Sequence, residues 1–387
     1  MDQGVESLDA RRPPGVIEHT FNEHPFGKNM RWLPYLTAWI FPPVTIVSLW
    51  LGGAWTFTLP ILAFGVIPLL ELLLKPDTRN KAADQEAKDR QNPVFDVVLV
   101  SLIPVHIATC VMLALLVRSG HLHGVGLAGG VFAVGVGCGV FGINLGHELG
   151  HRREKWAKRL AVVALSTSLY AHFIIEHNRG HHARVSTDED PASSRRGETL
   201  YGFWIRSVRD GWLSAWALEA KRLDKKGIRR MSWQNEMLRL TALQVALAVA
   251  AVAVFGWGGV AWIGAAAVGA LMLETVNYIE HYGLQREKTA AGRYERVRPV
   301  HSWNSEHPVG RALLFELSRH SDHHAHPGRP YAALRHFPEA PQMPTGYPGM
   351  MVLSVIPPLW FRVMDPRVDA ALGRQHAPAT APLPSGA

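Results

Sequence analysis

His147, Glu148 and His151 stand together in the stretch "GHELGHRREKW". Two histidines four residues apart share one helix face and can grip one metal. H-E-x-x-H is also the zinc-protease pattern, in which the glutamate is the general base. Three further clusters argue for different chemistry: His177, His181 and His182 in "EHNRGHH", His281 in "NYIEHYGL", and His320, His323 and His324 in "RHSDHH". Their spacings predict that each cluster occupies one helical face. A catalytic zinc takes three protein ligands, whereas nine histidines suffice for two ions with four or five imidazoles each. Imidazole suits zinc, copper, iron and nickel. Soluble diiron bundles use glutamates with Glu-x-x-His; here histidine replaces most of the carboxylates. Two iron ions are the expected cofactors, with O2 as co-substrate.

Acidic residues flank the histidines. Glu148, Glu176, Glu280, Asp322 and Asp190 are expected to accept the free N–H of metal-bound imidazoles, which fixes the rings and raises their basicity. Glu280 is the first candidate for a direct or bridging ligand. Asp190, in "DEDPASS", also reads as a plain turn residue. His172 reads as a core histidine. His106, inside an apolar run near Pro104, reads equally as functional or as a cap on a freed carbonyl.

The elements that must hold these residues are apolar. Six runs approach the ~20 residues that cross a bilayer: Leu33–Trp55, Phe57–Leu74, Phe95–Val117, Gly124–Gly146, Leu238–Phe255 and Val260–Ile279. A shorter run, Leu160–Ile175, is expected to be a buried helix below the membrane. Lys and Arg crowd the segments after the second, fourth and sixth runs, while the loops near Trp55, Gly120 and Gly256 are nearly uncharged. The positive-inside rule then puts both termini and all four clusters in the cytoplasm. The expected fold class is an all-α integral membrane protein with six transmembrane helices over a histidine-rich cytoplasmic domain. Its expected parts are an N-terminal arm (1–32), a membrane domain (33–281) with a histidine-bearing insertion (152–238), a cytoplasmic part completing the metal site (282–367), and a disordered tail (368–387).

Composition narrows the function further. Hydrophobic residues make up 48% of the chain and charged residues 19%, and they are segregated into separate stretches. The two cysteines, Cys110 and Cys138, both lie in apolar runs. They exclude a disulfide framework, an all-cysteine zinc site and a fused rubredoxin-like iron domain. The net charge of +8 comes without any nucleic-acid motif, so the lipid bilayer and not nucleic acid is an expected partner. Arg152, Arg153, Lys155, Lys158, Arg159, Arg195 and Arg196 are expected to steer a separate acidic electron carrier, with contact to anionic lipid as the alternative. In the second run Leu59, Ala63 and Ile67 follow at i+4 above Glu71. They are expected to share a face and to line a substrate channel.

The stretches "GHELGHRRE", "FIIEHNRGHH", "NYIEHYGLQR", "SWNSEH", "LSRHSDHHAHP", "DEDPASSRRGE" and "PTGYPGM" closely resemble the AlkB-type alkane monooxygenases. The resemblance runs from about residue 30 to 367. "NYIEHYGL" separates that family from the fatty-acid desaturases, which share the histidine-box plan. The resemblance implies a six-span funnel in the bacterial inner membrane over a cytoplasmic diiron site. It implies terminal hydroxylation of medium- or long-chain n-alkanes to 1-alkanols, with electrons from rubredoxin and its NADH-dependent reductase. Glu71 and Glu306 depart from the residues common in the family; neither is among the nine histidines. The competing readings are a membrane fatty-acyl desaturase or hydroxylase with the same metals, and a non-catalytic metal-binding membrane protein.

Overall fold

The computed structural model describes residues 30–376. Most of the N-terminal arm, and the chain beyond 376, lie outside the described residues. The described residues are helical and hold no β-strand, only two isolated bridges. Six helices are long and apolar enough to cross a membrane: α1 (Leu33–Leu51), α2 (Gly53–Leu73), α4 (Pro93–Arg118), α5 (Gly124–Gly150), α9 (Glu236–Phe255) and α10 (Trp257–His281). Between and after them lie α3 (Ala83–Gln91), α6 (Lys155–Ser166), α7 (173–184), α8 (Leu200–Asp224), α11 (Pro308–Leu313), α12 (His320–Ala325), α13 (Tyr347–Ser354) and α14 (Pro357–His376).

The middle of the bundle is α5, and its sequence explains why. "GVGLAGGVFAVGVGCGVFG" carries almost no bulk on several faces, so neighbouring backbones come close. A methyl on Gly135 would lie 2.5 Å from Val268 of α10, and one on Gly269 of α10 would lie 2.5 Å from the Cys138 Cβ. The apolar stretch of α5 is accordingly 72% buried, against 11% in α9 at the periphery. The turn between α1 and α2 falls at Gly52, whose φ of 68° suits glycine. It lies three residues earlier than the Trp55 loop expected from hydropathy.

The connections at that end are short; those at the other end are long and pack on one another. Asp77 N–H donates to Glu306 O at 2.8 Å, and Lys81 Nζ reaches Ala332 O at 2.7 Å. A bidentate pair, Arg31 with Asp89, pins the start of α1 to α3.

Two expectations are corrected. The run Leu160–Ile175 is not one helix. It breaks after Ser166, passes Leu169 at φ 50°, and resumes at Phe173. The break does not lie below the spans but reaches in among them. Thr167 O accepts Trp262 Nε1 of α10 at 3.0 Å, and Ser168 Oγ donates to Cys138 O of α5 at 3.0 Å. The first bond satisfies a carbonyl that the broken helix leaves free, and the second a carbonyl of α5 at the start of its π-turn. The tail is the second correction: α14 continues to His376, burying Val368 and Ala371 against the core, so 368–376 is structured.

Candidate metal centre

The nine histidines of the four clusters meet in one place, and all nine present Nε2. Nitrogens of His147 and His323 lie 3.0 Å apart, His323 and His182 3.2 Å, His182 and His177 3.0 Å, and His177 and His151 3.0 Å. A second series runs from His181 to His324 (3.2 Å), His324 to His320 (2.8 Å) and His320 to His281 (3.2 Å). The donors thus form a group of five and a group of four, each with its ligand atoms within 4.8 Å of one another. The groups adjoin, with the His182 and His324 ring centroids 4.5 Å apart.

Helix geometry explains the division and corrects the expectation that each cluster serves one face. Residues 177–181 form a π-turn within α7. The wider turn brings i and i+5 together, so His177 meets His182 and His181 points to the other group. On α12, His320 and His324 face the group of four, while His323 faces the group of five. Another π-turn, Cys138–Asn144, lies in α5 just before His147. Such turns concentrate at functional sites.

The donors fit metal ions. A first-row metal holds imidazole nitrogen at about 2.0–2.1 Å, so neighbouring ligands at right angles sit about 2.9 Å apart. The observed separations cluster at that value. Nδ1 of His182, His320 and His324 is buried without a partner, so these rings turn their directed contacts inward. Burial pushes His151 down to about 3, and burial with neighbouring imidazoles holds His177, His182, His320, His323 and His324 well below the ordinary range. Such rings are neutral at pH 7 and keep a free lone pair. Burial opposes charge on His181 too, but the Asp190 carboxylate raises it.

The five carboxylates fall into different environments. Asp190 accepts His181 Nδ1–H at 2.8 Å and also Ser193 Oγ–H at 2.6 Å. Glu280 Oε2 is 3.1 Å from His320 Nε2, on the metal-facing side, and its Oε1 is buried. Glu176 accepts the backbone N–H of His181 at 3.2 Å and pairs with Arg184 and Ser214. Glu148 and Asp322 depart from expectation, since their bonds run away from the nine rings. Glu148 accepts Arg152 and the Tyr331 N–H. Asp322 accepts His326, Arg329 and the Arg335 N–H, which folds the loop after α12.

A narrow apolar cavity of about 80 Å³ abuts the histidines. His147, His177, His320, Glu280 and Asn277 form its inner end; Phe41, Phe64, Val140 and Met272 are among its walls. Ala63 and Ile67 line it, but Leu59 does not. A π-turn at Leu62–Val66 shifts the register of α2, and Leu59 is buried elsewhere in the core. Glu71 also turns aside, accepting the Gly310 N–H at 2.7 Å.

One buried feature escaped the sequence reading. Glu274 of α10 accepts Tyr170 Oη–H at 2.8 Å and bonds Ser207 beside the histidines; a carboxylate within an apolar span is its visible signal. His172, read as a core histidine, is buried between Tyr170 and Trp212.

Residues 123–354 match the family model described as fatty acid desaturase. Alkane 1-monooxygenase 1 of Pseudomonas aeruginosa is 42% identical over 330 residues, covering 84% of this chain and 86% of the relative. Alkane 1-monooxygenase 2 of Alcanivorax borkumensis is 39% identical over 350 residues, 87% and 90% of the two chains. The xylene/toluene monooxygenase hydroxylase component of Pseudomonas putida is 26% identical over 346 residues, 85% and 87%.

Proposed function

The chain belongs to the alkane 1-monooxygenase family, within the broader fatty acid desaturase family, and on that premise we propose that it places one oxygen atom of O2 on the terminal methyl of medium- or long-chain n-alkanes at two iron ions. It is a multi-pass membrane alkane hydroxylase. The observation that carries the iron assignment is the convergence of nine imidazole nitrogens, five and four, beside an apolar cavity.

In this reading His147, His151, His177, His182 and His323 hold one iron, and His181, His281, His320 and His324 hold the other. The two irons, when bound, supply the activation of O2 and the transfer of one of its atoms to carbon. The chain does the rest. An alkane has no polar group, so position alone selects the attacked carbon. Walls such as Phe41, Phe64 and Met272 are apolar and exclude water beside the histidines. Ala63 and Ile67 set the bore. Asp190 fixes the His181 ring by its hydrogen bond and makes the facing nitrogen a better donor. Glu280 stands close enough to the same face to serve as a carboxylate ligand.

The resemblance to the alkane monooxygenases implies rubredoxin and its NADH-dependent reductase as the electron donors, and the two cysteines of the chain do not suffice for a rubredoxin-like iron site of its own. The long basic segments lie at the histidine end, which supports an inner-membrane protein with its active site and both termini in the cytoplasm.

The test is anaerobic reconstitution with ferrous iron, followed by O2, rubredoxin, reductase and NADH with either octane or a saturated fatty-acyl substrate. The expected product is 1-octanol. A new double bond in the acyl chain with the alkane untouched would replace this reading with a desaturase. Bound metal with no substrate-dependent O2 uptake would replace it with a metal-binding protein.

A further inference from the structure

Well away from the nine histidines, a third set of metal donors is buried among the spans. His106 and Cys110 stand four residues apart on α4, and Cys138 faces them from the start of the π-turn in α5. Their donor atoms lie within 4.8 Å of one another. Cys110 Sγ is 3.6 Å from His106 Nε2, and Thr167 Oγ1 is 3.1 Å from the same nitrogen. All four residues are under 9% exposed. They come from three segments: α4, α5 and the break in the chain after α6.

We propose that His106, Cys110 and Cys138 bind one divalent soft or borderline cation, zinc first, with Thr167 Oγ1 at the fourth corner. Zinc takes Cys sulfur at about 2.3 Å and His nitrogen at about 2.0 Å, so a tetrahedral angle separates the two donors by about 3.5 Å. The measured Cys110–His106 separation matches. Charge favours the same ion. Two thiolates cancel two positive charges and a neutral imidazole adds none, so the site carries no net charge into an apolar interior where an unbalanced ion is costly. Binding exchanges two thiol protons for the cation and changes no oxidation state. Thiolate also prefers zinc or cuprous copper to magnesium, calcium or manganese.

The surroundings resemble a built site. His106 Nδ1 has Thr109 Oγ1 at 3.5 Å, which orients the ring. Cys138 Sγ is 3.6 Å from Thr167 O, and Ser168 Oγ and Trp262 Nε1 anchor the same loop. Cys110 and Thr167 border an apolar groove between α4, α6, α9 and α10. The ion would tie the inserted break to both spans, about 14 Å along α5 from His147.

The test uses the purified full-length protein with its iron. Elemental analysis is expected to show one zinc beyond the iron. Cys110→Ser and Cys138→Ser are each expected to lose that equivalent while iron content is retained. Cobaltous ion added to zinc-free protein supplies an independent readout. The chain has two cysteines, both in this cluster, so a thiolate-to-cobalt charge-transfer band can arise nowhere else. Bound zinc is also expected to shield both thiols from maleimide. No extra zinc, no cobalt band and equal maleimide labelling with and without zinc would reduce the cluster to hydrogen-bonded thiols and overturn the proposal.

Discussion

His177 and His182 bring their Nε2 atoms to 3.0 Å although five residues separate them along one helix. A regular α-turn places i and i+4 together, with i+5 rotated away by more than a third of a turn. The π-turn at His177–His181 closes that gap and sends the intervening His181 to the other group of donors.

Gly180 lies inside that turn, and a methyl there would press on the Glu176–Arg184 pair. Gly180→Ala is expected to disturb both groups at once. Elemental analysis should show the loss of at least one of two irons per chain; full iron content would show that the pair simply moves aside.

The two groups differ in redundancy. His151→Ala leaves four imidazoles in its group, while His281→Ala leaves three in the other. Both variants are expected to lose most activity, roughly 100-fold or more, in line with losses seen when metal-site support is removed. Iron titrations should separate them, with His281→Ala binding its second iron more weakly than His151→Ala.

Asp190→Asn keeps the shape and removes the carboxylate that His181 donates to. Ferrous-iron affinity at the group of four is expected to fall about 10–100-fold. Unchanged affinity by anaerobic titration would reassign Asp190 to the turn it shares with Ser193.

Ala63 lines the cavity, and a bulky side chain there should shorten it. Ala63→Trp is expected to retain octane turnover and lose hexadecane turnover. Equal loss on both substrates, with poorer folding, would mean that the position serves helix packing instead.

Glu316 ties α1 to the segment after α11: it accepts Tyr35 Oη–H at 2.9 Å and Arg311 Nε–H at 2.7 Å. Burial raises its carboxyl, but Arg311 and Arg319 outweigh burial and hold it at about 2, below the usual 4.5. The charged form is therefore the stabilising one. Its contribution is complete above about pH 4.5 and is lost as pH falls toward 2. Glu316→Gln is expected to cost about 3 kcal/mol near neutrality, as for a buried pair deprived of one partner. Its melting temperature should then fall less than the wild type's between pH 5 and pH 3; parallel curves would remove Glu316 from the account.

The spacing of the clusters was enough to single out the nine histidines that the fold brings together, and hydropathy was enough for the six spans, because both depend on local pattern. Their assignment to two groups was not legible, since it rests on π-turns that no residue type announces. Leu59 was misplaced for the same reason: the extra residue at Leu62–Val66 rotates everything before it. The run Leu160–Ile175 looked continuous because Thr167 and Ser168 break it through partners on α5 and α10, far off in sequence. Glu148 and Asp322 sit next to histidines in the chain but point to arginines, which adjacency alone cannot reveal.

The distribution of the donors along the chain orders their arrival during synthesis. When residue 319 has been made, the group of five already has His147, His151, His177 and His182, whereas the group of four has only His181 and His281. The five residues from His320 to His324 then supply the last donor of one group and half the donors of the other. A ribosome that stalls just before them would leave a chain with four of five donors in one group and two of four in the other.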